Sequence, residues 1–416
     1  MKAAAVTMAH IINQSSATKL GVCANATDAD ANASSSANVD RFGITSSCAL
    51  FDFAVYTVAM GSLSLLGVAG NTVSFAVLTR DRGRSATSFL LQALAVGDTL
   101  VLVAAVPLYI VPPIYLYTGL LGAYYDVYLH ILPVLWPVYL IPYTFTILVT
   151  VLVSLHRYCA VCRPFRCGGG TRSGVGGNKV LCTSRQARQL VAALAVFSIV
   201  YNIPRFFEYE RVERCVDGRT RRGFEISAFG DNLLYRIIYA NALYFVVIHG
   251  GPLLLISFFN VRLIGALKLR QQRWAEMGKS WYQQDVSLVL VVVMCVFIVC
   301  QTPTFVDHVL WTVLDESRQL CGQWHYYYTA IGDLLAILNS SVNFVIYILT
   351  SRNFRHGLML QTVCTPTGAG GATATGAGAG AGDVAPFRSE YIGLQCTVVH
   401  CPPSDGGGGG GGINRA

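Results

Sequence analysis

Charge is what this chain has least of. Asp, Glu, Lys and Arg make up 12% of its 416 residues against 53% hydrophobic residues, and the mean hydropathy is +0.50. A water-facing globular domain carries about twice that charge, so soluble classes are excluded and a bilayer is the expected solvent. Residues 1–20 lack a sustained apolar core, so no cleavable leader is expected and the first long apolar run itself directs insertion. Apolar length, by contrast, is plentiful. Runs long enough to cross about 30 Å of hydrocarbon occur near 52–79, 87–112, 129–155, 189–204, 234–266, 286–313 and 326–349. The fourth is the shortest, and Pro107, Pro142, Pro252 and Pro303 lie inside others, where neighbouring helices re-satisfy the freed backbone groups. The expected fold is an all-α membrane bundle of seven spans.

Basic residues set the expected orientation. With the N-terminus outside, 19 of the 30 Lys and Arg fall on the cytoplasmic side and 11 outside. The net charge of +8 is therefore a topology signal and gives no reason to expect nucleic acid as a partner. The second outer segment departs from the rule with Arg211, Arg214, Arg219, Arg221 and Arg222, but Glu208, Glu210, Glu213, Asp217 and Glu225 are interleaved with them. Sequons at Asn13, Asn25 and Asn32 fall in the polar head, where glycosylation is expected on an outside-facing segment.

Four regions follow. Residues 1–50 form a head rich in Ala, Ser and Asn with no apolar period, and 51–350 form the bundle. In 351–361, Phe354, Leu358 and Met359 share one face and Arg352 and Arg355 another, which suits a short helix on the lipid surface. Residues 362–416 include a run of seven glycines and cannot bury enough surface to offset their chain entropy. Cys364, just past the surface helix, is a candidate for palmitate. Of 13 cysteines, Cys23, Cys48, Cys215 and Cys321 face the oxidising side in this topology, an even number able to form two bridges. The cytosolic set Cys159, Cys162, Cys167 and Cys182 has loose zinc-like spacing, but the first pair sits at a helix end and a closed site would need a Gly-rich loop to converge on it.

Polar residues inside a span are costly, so each needs a partner or a purpose. Here they are few: Asn71 in the first run, Asp98 in the second, Thr146 in the third, and Asn339, Ser340 and Asn343 in the seventh. At 1.5 Å per residue, Asn71, Asp98 and Asn343 lie between one and a few turns from their cytoplasmic ends and can share a layer. A carboxylate there either binds a cation such as sodium or takes up a proton and donates one hydrogen bond. Any one of these side chains alone reads as helix packing.

As a set, with His156-Arg157-Tyr158 closing the third run and Asn343-Phe-Val-Ile-Tyr347 in the seventh, they resemble the rhodopsin-like (class A) G-protein-coupled receptors over roughly residues 50–360. The resemblance implies a switch of Arg157, Tyr158, His156, Asn343 and Tyr347, with Arg157 changing partners between inactive and G-protein-bound states. His156 replaces the family's acid, and imidazole cannot hold a guanidinium as carboxylate does, so raised basal signalling is expected. Other departures are Phe344 for the usual Pro, Gln301 for the usual Trp, and Leu194 near the position of the customary Trp of the fourth span. Leu132 stands in place of the third-span cysteine that staples the second outer loop, which leaves Cys215 needing another partner. Cys48 with Cys321 and Cys23 with Cys215 is one of three pairings left open. Together with NIPRFFEYE (202–210) and NSSVNFVIY (339–347), these departures resemble the invertebrate FMRFamide group of neuropeptide receptors.

That resemblance implies an extracellular neuropeptide as ligand, a heterotrimeric G protein and membrane lipid as partners, a plasma-membrane location, and no resident cofactor beyond sodium at Asp98. Amines are disfavoured, since Tyr139 stands where their aspartate would be and 129–155 contains no acid; retinal is excluded because Ile337 occupies the lysine position. An Arg-Phe-amide peptide needs a carboxylate for its guanidinium and an aromatic pocket for its ring. Asp307 and Asp333 are expected to be acids without internal partners, with Tyr139, Tyr143, Tyr239 and Trp311 beside them and Glu208 a weaker candidate. A paired-aspartate protease reading of Asp98 and Asp333 fails on depth, because Asp333 lies about 15 Å outward of Asn343. A transporter would show repeats or paired broken helices. None is visible in the sequence.

Overall fold

A computed structural model describes residues 46–80, 85–162, 183–216, 219–276, 285–314 and 321–363. Six helices are long and apolar enough to cross a membrane: α1 (Ser47–Thr79), α2 (Ala86–Thr118), α3 (Gly122–Cys162), α4 (Ser184–Phe207), α5 (Tyr235–Arg273) and α6 (Asp285–Val313). A seventh span is made of α7 (Trp324–Ser341) and α8 (Asn343–Thr350), which meet at a 49° bend, and α9 (Arg352–Val363) follows. The chain is a multi-pass membrane bundle.

Packing is inside out. Leu65, Leu66, Leu254 and Val261 are each at least 70% exposed, which water would penalise and hydrocarbon does not. The interior centres on α3, whose Tyr139, Leu140, Tyr143, Ile147, Val149, Leu152 and Val153 are buried against α2, α5 and α6. This helix begins at Gly122, earlier than the apolar run near 129 suggests. Tyr124 and Tyr128 in the added turns donate to the carbonyls of Pro107 (2.6 Å) and Leu108 (3.3 Å). Those carbonyls lie in the wide, π-type turn that Pro107 forces on α2. Helix starts follow side-chain chemistry: Ser85 caps α2 by accepting from the Ser88 amide, and Thr183 forms a capping box with Gln186 at α4.

The bend between α7 and α8 occurs without proline, since Phe344 occupies the usual position. The neighbouring helix compensates: Asn71 donates to the Ser340 carbonyl at 2.9 Å. Gly67 and Gly70 let α1 come that close. A Cβ on Gly67 would sit 2.6 Å from Ser341, and one on Gly70 2.7 Å from the Phe344 Cβ. At the C-terminal side, Phe354 of α9 is buried against the Tyr347 ring at 5.5 Å, Leu358 is half-buried and Met359 exposed.

One element departs from the all-helical expectation. Strands β1 (Tyr209–Val216) and β2 (Arg219–Ile226) form an antiparallel hairpin running from Tyr209↔Ile226 to Val216↔Arg219. The hairpin marks one end of the bundle and Arg157 the other.

Candidate ligand cavity and switch residues

A cavity opens between the helices at the hairpin end. Asp307, Asp333, Tyr139, Tyr143 and Trp311 all line it, as do Tyr109, Tyr244 and Arg205. Local backbone geometry aims several of these groups. Wide π-type turns at Phe53–Met60, Val106–Ile110, Tyr235–Leu243 and Phe245–His249 carry or flank Tyr56, Tyr109, Tyr244 and His249, a feature common near functional sites. Tyr109, Trp136 and Tyr143 all pack on the Tyr139 ring, at 5.4, 6.1 and 5.8 Å between centroids, making an aromatic wall. The Tyr143 hydroxyl donates to Gln301 at 2.9 Å, so Gln301 anchors this wall through a hydrogen bond.

The acids are not without partners, which corrects the expectation from sequence. Asp307 accepts from Thr329 at 2.6 Å and lies 3.1 Å from His325 Nε2, while Asp333 accepts from Tyr56 at 3.2 Å. Hydroxyl donors and histidines are too common in a sequence for such pairs to be read without the fold. A further acid, Asp52, accepts from Tyr326 at 2.6 Å. Tyr239 and Glu208 are not among the residues lining the cavity. Tyr239 donates to the Tyr201 carbonyl, and Glu208 accepts from Arg205 at 2.8 Å. Arg205 is the residue that sequence reasoning missed. The one signal was its place among apolar neighbours in Ile203-Pro-Arg-Phe-Phe207, where an arginine must be paired or functional.

Toward the middle of the bundle, Asp98 is fully buried and accepts from Asn343 at 2.7 Å. Asn71 joins through the Ser340 carbonyl. Thr146 instead donates to Tyr143 within its own helix at 3.0 Å, and Asn339 is half-buried. Asp98 Oδ1, Asn71 Oδ1 and Ser74 Oγ are buried oxygens without hydrogen-bond partners in the protein. Oxygen donors of this kind suit a hard cation such as sodium, with Asp98 supplying the charge. Asp98 and Asp333 thus have separate partners on separate helices, not a shared proton.

At the opposite end, Arg157 lies near the end of α3, which continues to Cys162. Its Nε is buried without an acceptor, and so is His156 Nδ1. No hydrogen bond or ion pair joins Arg157 to another described residue, whereas Tyr158 packs on Phe259 at 5.4 Å and Tyr347 is buried.

Cys48 and Cys321 form a disulfide that ties the start of α1 to the start of α7 across a sequence separation of 273. Cys215 lies in β1 opposite Thr220. Asn13, Asn25, Asn32, Cys23, Cys167, Cys182, Cys364 and the terminal segments fall outside the described residues.

Residues 70–347 match the model of the 7 transmembrane receptor (rhodopsin family). The chain is 30% identical to an FMRFamide receptor of Drosophila melanogaster over 74% of its own length and 54% of that protein's, so it accounts for about half of that relative. It is 29% identical to an FMRFamide peptide receptor of Caenorhabditis elegans (73% and 68% covered) and 27% identical to neuromedin-U receptor 2 of Rattus norvegicus (75% and 75%). With seven apolar spans, the Asp98–Asn343 link and a family match over two thirds of its length, the chain belongs to the rhodopsin family of seven-transmembrane receptors.

Proposed function

We propose that this receptor sits in the plasma membrane with its N-terminus outside and transmits binding of an amidated, FMRFamide-like neuropeptide to a heterotrimeric G protein. The observation that carries the reading is the cavity at the hairpin end, where Asp307 and Asp333 stand beside an aromatic wall. A guanidinium pairs with a carboxylate in bidentate geometry and a phenyl ring packs on tyrosines, so Arg-Phe-amide matches both surfaces. Two named relatives are receptors for such peptides.

Transmission is a population shift. Peptide that binds the active conformation about 5 kcal/mol better than the inactive one makes the switch nearly complete. At the far end Arg157, Tyr158 and Tyr347 rearrange, and the G protein docks against the second and third inner loops, whose sequence supplies Arg163, Lys268 and Arg270. Were sodium to bind at Asp98 it would offset the carboxylate charge; Asn343, and Asn71 through the Ser340 carbonyl, tie the layer in either case. The test is a calcium or cAMP assay in transfected cells against a panel of amidated neuropeptides, with amines as contrast. Response to an amine and to no amidated peptide would overturn the ligand assignment.

A further inference from the structure

We propose that the Arg205–Glu208 pair reads the C-terminal carboxamide of the peptide and rejects the free acid; this rests on the peptide-receptor reading above. Arg205 lies in the tight turn Ile203–Phe207 that ends α4, is 3% exposed, and forms part of the cavity wall. Its guanidinium carbon stands 5.2 Å from the Tyr239 ring centre and 5.0 Å from that of Tyr244, which fixes its plane. One Nη donates to Glu208 at 2.8 Å, and the buried Nε has no acceptor in the protein. Glu208 takes up one of the guanidinium's five donors, and a cation so little exposed on a cavity wall favours an oxygen acceptor beside it.

Charge decides which acceptor. Arg205 alone would favour a carboxylate, but Glu208 cancels its charge at hydrogen-bond distance, and Asp307 and Asp333 line the same cavity. A free C-terminal carboxylate accepted by Arg205 would face the nearby Glu208, just behind the cavity wall, as a like charge, which is unfavourable. A carboxamide offers the same acceptor oxygen without charge, and its NH₂ suits the acidic surroundings. The pair is held firmly. The Glu208 carbonyl accepts from the Ser227 amide at 3.0 Å, Ser227 Oγ in turn accepts from the Gly230 amide at 3.0 Å, and a Cβ at Gly230 would collide with the Glu208 carbonyl. Were the pair only a staple between α4 and the hairpin, ligand selectivity would not depend on its charge.

The experiment compares Phe-Met-Arg-Phe-amide with its free acid in dose-response assays on the full chain, at matched surface levels. Wild type should prefer the amide. In Glu208→Gln the amide-to-acid potency ratio should fall about tenfold because the acid gains. In the double variant Arg205→Gln with Glu208→Gln, amide potency should fall with no gain for the acid. Arg205→Lys, which keeps the charge and loses the planar fork, should also weaken the amide, and it serves if Glu208→Gln does not reach the surface. Unchanged selectivity in whichever of these variants reaches the surface overturns the proposal. Wild type that responds to other amidated peptides without discriminating amide from acid overturns it alone, and wild type silent to every amidated peptide overturns the ligand reading as well.

Discussion

At the hairpin end, Asp52, Asp307, Asp333 and Arg205 each meet a partner: Tyr326, Thr329 with His325, Tyr56, and Glu208. At the opposite end Arg157 has its Nε buried with no acceptor, and the residue before it is His156 where a carboxylate would have closed the pair. Charge taken out of water costs heavily unless matched. The hairpin end is therefore preorganised around fixed groups, while at the arginine end no described residue supplies Arg157 with an acceptor. The raised basal signalling expected from His156 rests on that contrast.

The largest expected effect tests the receiving end. Asp333→Asn should cost an Arg-containing peptide about 2–5 kcal/mol of binding while leaving its citrulline analogue unchanged; equal losses for both peptides would mean that Asp333 acts only through Tyr56. Next, Cys48→Ser should lower unfolding stability by about 2–4 kcal/mol, because the Cys48–Cys321 bridge closes a long loop. That loss should read as a lower melting temperature of purified receptor, and no shift would show the bridge to be dispensable. Gly70→Val should cost about 1–3 kcal/mol through overpacking against Phe344, with part regained in the double variant that adds Phe344→Ala. Failure of that rescue in the same thermal assay would place the clash elsewhere. The smallest effect tests the sending end: His156→Asp gives Arg157 an acceptor worth about 1 kcal/mol, enough to lower ligand-independent activity roughly fivefold. An unchanged basal signal would remove the argument that the histidine loosens the switch.

Much of the bundle was legible because hydrocarbon imposes a simple rule on sequence. Seven runs appear as seven spans, and the scarcity of interior polar residues singled out Asp98, Asn71 and Asn343, two of which prove to be bonded to each other. Legibility failed where a contact depends on common residue types. Tyr56 with Asp333, Tyr326 with Asp52 and Tyr143 with Gln301 join helices far apart in the chain, and 21 tyrosines offer too many candidate pairs. The hairpin escaped because its charge interleaving read as a loop, and the π-type turns because a one-residue shift in helical register leaves no mark in an all-apolar pattern. Only the structure selected Cys48 with Cys321 from three pairings.

Sequence alone determined the solvent, the number of crossings and the short roster of buried polar groups, since each follows from the one-dimensional cost of placing charge or open backbone in lipid. Tertiary structure decided which groups meet: that Arg205 lines the cavity while bound to Glu208, that the acids carry hydroxyl and histidine partners, and that no described residue pairs with Arg157. Those outcomes depend on helix rotation and depth, and many registers bury the same residues equally well. Only packing at sites such as Gly67 and Gly70 against Ser341 and Phe344 selects among them.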